Sequence, residues 1–285
     1  MENKSFDKTI LGDCLVKMND IEDNSIDLIL TDPPYIISQN TGMENFNNFV
    51  KEVDKGNQDT KTLDDWNRYI SKTSVQYNDE QKNNYLKYGT IYGKKYAVKT
   101  DYGEWDSEFT MQDLKLLVEL SYSKLKNGGT CIIFFDIWKL SYLKEIMELS
   151  KFKQLRFIEW IKTNPQPRNS TVNYLTNCRE IALLGIKKSK PTFNSKYDNG
   201  IYEYPFYSNK DRIHPTQKSV KLFDDLILKH SNENDIVLDP FMGSGTTCIS
   251  AINTNRRYIG IERDKEYFKK ANQRIEKSSL INKFV

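Results

Sequence analysis

Ile236-Val237-Leu238-Asp239-Pro240-Phe241-Met242-Gly243-Ser244-Gly245-Thr246-Thr247-Cys248 is a β-rich run, a turn with glycine at alternate positions, and a helix-compatible continuation. Such a strand, turn and helix bring the backbone close to a nucleotide-like ligand, because glycine has no Cβ to hold it off. A tight turn with no ligand would use the same residues. Another strand follows over 258 to 261 and ends in Glu262, about 20 residues after the glycines, where an acid can accept from both ribose hydroxyls. The dinucleotide fingerprint asks for a third Gly or Ala where Cys248 stands, and it has no counterpart of Asp239-Pro240-Phe241. A pyrophosphate ligand is therefore disfavoured. Asp239 beside the turn suits a ligand with a positive end, such as the ammonium and sulfonium of S-adenosylmethionine.

Outward from this stretch, strand and helix signals alternate along the chain, the pattern of a doubly wound, mostly parallel α/β sheet of Rossmann type with helices on both faces. Strands are predicted at 9 to 11, 26 to 31, 130 to 135, 154 to 161, 180 to 186, 235 to 238 and 257 to 261. Helices are predicted at 110 to 125, 138 to 150, 217 to 230, 245 to 254 and 264 to 277. Gly128-Gly129 reads as the stop of the helix before the apolar run that begins at Cys131. Two segments break the rhythm: 36 to 104, rich in Asn, Lys and Tyr, and 187 to 213, rich in Lys and aromatics. Loops of that length are lids, binding loops or disordered segments. The expectation is one domain over 1 to 285 carrying two insertions that read DNA or act as lids.

The apolar run Ile26 to Thr31 is cut short by Asp32-Pro33-Pro34-Tyr35, since neither proline can donate to a ladder. In an open α/β sheet the carboxyl ends of strands are where ligands bind, so this carboxylate, its two carbonyls and the aromatic ring are placed at a site. The residues alone also allow an ordinary strand-to-loop turn.

Composition narrows the field. The 285 residues suffice for one large α/β domain. No run approaches the roughly 20 apolar residues of a membrane span, and MENKSFDKTI has no apolar signal segment. The expected location is the cytoplasm. Cys14, Cys131, Cys178 and Cys248 show no metal or disulfide spacing and there are two histidines, so no metal is expected. The net charge of +3 is uneven: Lys151 to His230 holds fifteen Lys and Arg against seven Asp and Glu. Tyr197, Tyr202, Tyr204, Phe206 and Tyr207 interleave with those cations as stacking and phosphate contacts require, which points to a polyanion. A solvated lysine-rich surface is the bland alternative.

Asp32-Pro33-Pro34-Tyr35 together with Phe241-x-Gly243-x-Gly245 resembles the two signature motifs of the amino-group DNA methyltransferases, and their order resembles the circularly permuted β group of that family. Leu11-Gly12-Asp13-Cys14, followed by Asp23 to Asp27, is similar to the family's N-terminal segment, whose Asp reaches the cofactor's adenine. Ile213-His214-Pro215-Thr216-Gln217-Lys218 resembles the segment lining the methionine end, with Ser219 where the family usually has Pro. The resemblance implies S-adenosylmethionine as cofactor, held by Asp13, Cys14, Asp32, Thr216, Lys218, Asp239, Phe241, Gly243, Ser244, Gly245, Thr246, Glu262 and Arg263. It implies double-stranded DNA as partner, with or without a cognate restriction endonuclease, and a monomer or homodimer.

An exocyclic amine is a poor nucleophile because its lone pair is delocalised into the ring. Asp32 and the Pro33 carbonyl would accept its hydrogen bonds and aim the lone pair, Pro34 would keep the loop rigid, and Tyr35 would stack on the flipped base. Cytosine-C5 chemistry needs a cysteine nucleophile, usually after proline, and none of the four cysteines follows one. Within the family, Asp at the first motif position goes mainly with adenine-N6 and Ser with cytosine-N4. The function expected is site-specific adenine-N6 methylation. The alternatives are cytosine-N4 or structured-RNA methylation, or a catalytically silent DNA-binding module. DNA contacts are expected from Asn164, Arg168, Lys187, Lys188, Lys190 and Arg212. His214 is expected to be structural, and Trp105, Trp138 and Trp160 to be core or loop anchors.

Overall fold

A computed structural model describes residues 6–35, 42–57, 60–71, 75–95, 109–165, 175–206, 212–214 and 216–282. One compact unit comprises 1–35 and 109–285, and a second comprises 36–108.

The first unit is built on an eight-stranded sheet: β1 (Lys8–Leu11), β2 (Ile26–Thr31), β3 (Leu125–Phe135), β4 (Phe152–Lys162), β5 (Arg179–Lys187), β6 (Ile201–Tyr204), β7 (Ile236–Asp239) and β8 (Arg257–Glu262). Their spatial order is β1-β8-β7-β2-β3-β5-β4-β6. Every pairing is parallel except those of β5, which runs against both β3 and β4. The chain steps from β2 to β3 on one side and from β7 to β8 on the other, so the switch point lies between β2 and β7, where Leu28 faces Val237 and Ile29 faces Leu238. The crevice outside the carboxyl ends of these two strands is where the topology builds a ligand site.

Among the described residues, five helices of eight or more residues flank this sheet. With the short α1 (Cys14–Lys17) and the second unit's α2 (Gly42–Asp54), α3 (Leu63–Ile70) and α4 (Asp79–Tyr88), they number onward as α5 (Met111–Lys124), α6 (Leu140–Leu149), α7 (Val220–His230), α8 (Thr246–Asn253) and α9 (Lys265–Asn282). Buried Leu222, Phe223, Leu226 and Ile227 recur at helical spacing and turn one face of α7 onto Leu28, Leu30, Ile132, Phe134, Ile158 and Trp160. Phe134 and Phe223 stack at 5.7 Å. Leu114, Leu117 and Val118 of α5, and Leu143 and Met147 of α6, are also buried. Residues that alternate on one strand, such as Ile132 and Ile133, are all buried, which is the signature of a sheet covered on both faces.

The predicted elements are present with small shifts of their ends, and three features differ. Gly128-Gly129 does not stop a helix. It lies inside β3, where Ile26 faces Leu125 but Leu28 faces Thr130, so the pair sits in a bulge. A Cβ on Gly128 (φ +87°) would meet the Lys190 carbonyl at 2.6 Å. The C-terminal carbonyls of α5 are capped otherwise: Lys187 Nζ donates to Ser123 O at 3.2 Å and Leu125 O at 2.7 Å, while the Asn24 and Ser25 amides take Ser123 O and Lys124 O. The segment 187 to 213 contributes β6 to the sheet. Among the described residues, the segment 36 to 104 holds three helices rather than an unstructured loop. Two of them, α3 and α4, carry capping boxes at Thr62/Asp65 and Asn78/Gln81, and a ring cluster of Trp66, Tyr69, Tyr77 and Tyr85 forms within that unit.

Candidate active site

The carboxyl ends of β1, β8, β7 and β2 present, side by side, Asp13, Glu262, the glycine turn and Asp32. Asp13 caps α1, with Oδ1 accepting from the Leu15 amide at 2.8 Å. Gly12 N donates to Glu262 O at 2.9 Å, which fixes the two acids on adjacent strands. Glu262 Oε2 accepts from Gly243 N at 3.0 Å and Oε1 from Asp264 N at 2.8 Å. Each oxygen retains acceptor capacity, because a carboxylate offers about four lone-pair sites. Burial raises the Glu262 pKa, with the two amides pulling the other way.

Gly243 (φ +48°) and Gly245 (φ +77°) both sit in the left-handed region. A Cβ on Gly245 would stand 3.0 Å from Ile275 Cδ1, so the turn needs glycine for conformation and for space. Gly245→Ala is expected to cost about 1–2 kcal/mol from the left-handed φ alone, read as a lower thermal midpoint. A sulfur wall completes the fit, since a Cβ on Gly260 of β8 would meet Met242 Sδ at 2.6 Å and Cys248 Sγ at 2.7 Å. Arg274 on α9 reaches back to the turn, donating to Ser244 O at 2.8 Å and Thr246 Oγ1 at 3.1 Å.

Several residues expected to touch a cofactor are occupied by the protein itself. Ser244 and Thr246 are buried, with their hydroxyls bonded to each other and to Arg274, so only their backbone faces the turn. The Cys14 thiol is buried and its pKa is pushed up by that burial and by Asp13. Asp239 Oδ1 accepts from Thr31 Oγ1 at 2.7 Å and Phe241 N at 3.0 Å, and Oδ2 accepts from Thr247 Oγ1. Its carboxylate therefore ties β7 to β2 and shapes the turn rather than presenting a free charge. Burial pushes the Asp239 pKa up to about 6, against the pull of its three donors. Between about pH 4 and 6 the folded chain holds a proton the unfolded chain has released, so this group's contribution falls as pH rises. Asp239→Asn is expected to remove about 2 kcal/mol of pH dependence between pH 4 and pH 7, read by denaturation at the two values.

His214 lies between Gly243 and Tyr267, its ring 4.4 Å from the tyrosine ring, and Nδ1 accepts from Thr216 N at 3.2 Å. Burial lowers its pKa to about 4, so the imidazole is neutral and donates only from Nε2. Thr216 Oγ1 shares the same nitrogen at 3.0 Å.

At the end of β2, Asp32 is mostly enclosed. Lys218 Nζ is 2.8 Å from its Oδ2, while Oδ1 is buried and makes no hydrogen bond. Lys218 also pairs with Glu180, whose Oε1 is 2.6 Å from Lys162 Nζ. Burial raises the Asp32 pKa; Lys218 opposes this and Glu180 reinforces it. Tyr35 packs edge-on against Phe135 at 5.8 Å, its carbonyl accepts from Lys139 Nζ at 2.9 Å, and its hydroxyl accepts from Lys218 Nζ at 3.4 Å. Burial and the Asp32 and Glu180 charges push the Tyr35 pKa well up. Nothing local in the sequence marks Glu180, Lys162, Lys139, Gly260 or Arg274 as residues of this site. Glu180 starts β5, and only the reversal of that strand carries it to the carboxyl edge.

The expected DNA contacts fare unevenly. Lys187 is buried under α5, bonded also to Asn24 Oδ1 at 2.9 Å, and cannot meet phosphate. Asn164 pairs its amide with both the N–H and the carbonyl of Phe206, so it fixes two loops together. Arg212 stacks over Phe206 at 4.6 Å and donates to the His214 carbonyl. Lys188 and Lys190 are exposed, and Arg168 lies outside the described residues, as do Trp105 and Tyr207. The basic surplus is partly internal, since Lys162, Lys187, Lys218 and Lys229 serve the fold. Tyr202 and Tyr204 bond to Asp198 and Asp225 rather than offering free rings. Trp160 is fully buried, as an anchor should be, but Trp138 is 90% exposed and anchors nothing.

Known proteins resemble this chain along most of its length. The model of the N6/N4 DNA methylase family matches residues 26–273. The type II methyltransferase M2.MboI of Moraxella bovis is 29% identical over 277 residues, covering 92% of this chain and 85% of its own. M.HinfI of Haemophilus influenzae is 30% identical over 292 residues, 95% of this chain and 68% of its own. The crystal structure of the M1.HpyAVI–SAM complex superposes with a TM-score of 0.60 at 25% identity, covering 94% of this chain and 98% of that one. PvuII DNA methyltransferase, cytosine-N4-specific, shares the fold at a TM-score of 0.62 and 16% identity, over 97% and 91% of the two chains. A crevice at the switch point, an acid on each flanking strand and an Asp-Pro-Pro-Tyr terminus thus meet in one chain, which belongs to the N6/N4 family of S-adenosylmethionine-dependent DNA methylases.

Proposed function

We propose that this protein methylates N6 of adenine at a short sequence in double-stranded DNA. The observation that carries the reading is the buried Oδ1 of Asp32, which makes no hydrogen bond although the Tyr35 hydroxyl lies beside the carboxylate. A buried acceptor without a donor costs about 1–3 kcal/mol, and an exocyclic amine brought into the crevice would satisfy it. Asp32 Oδ1 and the Pro33 carbonyl hold the amine and turn its lone pair toward the methyl donor, Pro34 stiffens the loop, and Tyr35 stacks on the base. The pocket supplies position and fixed charge, so no free base is required.

S-adenosylmethionine, when bound, supplies an electrophilic methyl on a sulfonium. The crevice fits it: the Glu262 oxygens retain capacity for ribose hydroxyls, and the space beside Gly243 is open, since a Cβ there would meet nothing closer than the His214 ring at 3.8 Å. Asp13, Phe241, Thr216, Lys218 and Arg263 line the remaining wall, and Ser244, Thr246, Cys14 and Asp239 act through backbone or by shaping it. Lys188, Lys190, Arg212, Arg168 and the 36–108 unit are assigned to the duplex. The names of the curated relatives support a place in a restriction–modification pair, acting in the cytoplasm; among the described residues no helix is long and apolar enough to cross a membrane. Adenine is favoured over cytosine by the acid at position 32. Single-molecule sequencing of DNA from cells expressing the protein is expected to show N6-methyladenine at one short motif, and modified cytosine at that motif would remove the adenine assignment.

A further inference from the structure

Lys162, Glu180, Lys218 and Asp32 form a single file of alternating charge along the carboxyl edge of the sheet. Lys162 Nζ lies 2.6 Å from Glu180 Oε1, Glu180 Oε2 pairs with Lys218 Nζ, and that ammonium lies 2.8 Å from Asp32 Oδ2. The four side chains come from the end of β4, the start of β5, the segment before α7 and the end of β2. They are 19%, 19%, 7% and 15% exposed, so water screens them little.

A lysine ammonium has three donors on a flexible stem and could straddle both oxygens of a neighbouring carboxylate. Here it does not. It is drawn from the far side by Glu180 and flanked by the Phe134 ring at 5.2 Å and the Tyr35 ring at 5.7 Å. Its hydrogen bond to Asp32 is made to Oδ2, and Oδ1 makes none, with the Tyr35 hydroxyl beside the carboxylate. Glu180 is in turn fixed by Lys162, whose ammonium lies over the Trp160 and Phe206 rings at 5.2 and 5.1 Å.

We infer that Glu180 is a positioning residue for methyl transfer: held by Lys162, it draws the Lys218 ammonium onto Oδ2 of Asp32 and so reserves Oδ1 for the target amine. The inference rests on the reading of Asp32 given above. The file also sums to zero charge, so the Asp32 carboxylate is balanced without being overwhelmed. Without Glu180 the file carries one net positive charge, the ammonium is free to reach Oδ1, and the carboxylate becomes a poorer acceptor.

The test measures single-turnover methyl transfer against pH, with labelled S-adenosylmethionine and duplex DNA lacking the host's methylation, and cofactor affinity by titration calorimetry on the same samples. Asp32 is faced by Lys218, Glu180, the Tyr35 hydroxyl and Asp239, with Asp136 acting on Tyr35, and only the Glu180 charge is changed. Glu180→Gln is expected to slow transfer about 10- to 100-fold, as a small misplacement of a reacting group does, with cofactor affinity unchanged. Its acid limb is expected to move to lower pH, because the neighbouring negative charge that raises the Asp32 pKa is gone. Glu180→Asp keeps the charge and should recover part of the rate and the parental limb. A Gln variant with the parental rate and limb overturns the inference, and so does one whose cofactor affinity falls in step with rate. Asp32→Ala is run beside them: activity there would defeat the reading of Asp32, whereas an inactive Asp32→Ala beside a parental Glu180→Gln defeats only the role of Glu180.

Discussion

Asp32→Ala is expected to lower methyl transfer by about 10³-fold or more while leaving S-adenosylmethionine binding within about threefold of the parent, the pattern of a group that acts in the transition state. The side chain ends β2 on one flank of the crevice, whereas Glu262 and Asp13 stand at the ends of β8 and β1 on the other. Removing Asp32 takes away the acceptor that aims the amine and leaves that second cluster intact. Lys218 keeps a partner in Glu180, so the fold should survive. Transfer rate and calorimetric affinity, measured on one preparation, check both halves of the expectation.

Lys218→Met should have the largest effect on stability. The ammonium is 7% exposed and sits between two carboxylates, Asp32 and Glu180. Methionine fills its stem but leaves Asp32 without its cation, and Glu180 with Lys162 alone. Removing one partner of a buried ion pair costs about 3–5 kcal/mol, because the remaining charge has lost both water and counterion. The loss should depend on pH in a definite direction. Without Lys218 both carboxylates titrate higher in the folded state, so they bind protons there that the unfolded chain has released, and stability falls as pH rises. The gap between variant and parent should therefore widen from pH 5 to pH 8 in urea denaturation. A gap that narrows over that range would contradict the charge file.

The sheet was legible because β2, β7 and β8 are short, mainly apolar runs, each ended by an acid, and such runs have few readings other than a buried parallel strand. The glycine turn was legible because left-handed backbone at 243 and 245 selects glycine. The reversal of β5 was not, since Arg179 to Lys187 has the same apolar character whichever way it runs. That reversal carries Glu180 to the site, so the partner of Lys218 stayed hidden. Lys187 misled for a related reason: a lysine in a basic run looks solvent-facing, and only the fold places it against the carbonyls of α5. Asp239 and Asn164 show the same limit, because their donors, Thr31 and the Phe206 amide, are 208 and 42 residues away in sequence. The helices of the 36 to 108 unit were hidden by polarity: their capping boxes are short-range signals inside a segment whose composition reads as loop.

The central claim is that the Asp32 crevice transfers a methyl group to adenine N6, and product identification tests it most directly. Purified protein is incubated with methyl-labelled S-adenosylmethionine and unmodified duplex DNA, the DNA is digested to nucleosides, and the labelled nucleoside is identified by mass spectrometry. The label is expected in N6-methyldeoxyadenosine and absent with Asp32→Ala. Label in N4-methyldeoxycytidine, or transfer that survives Asp32→Ala, would contradict it.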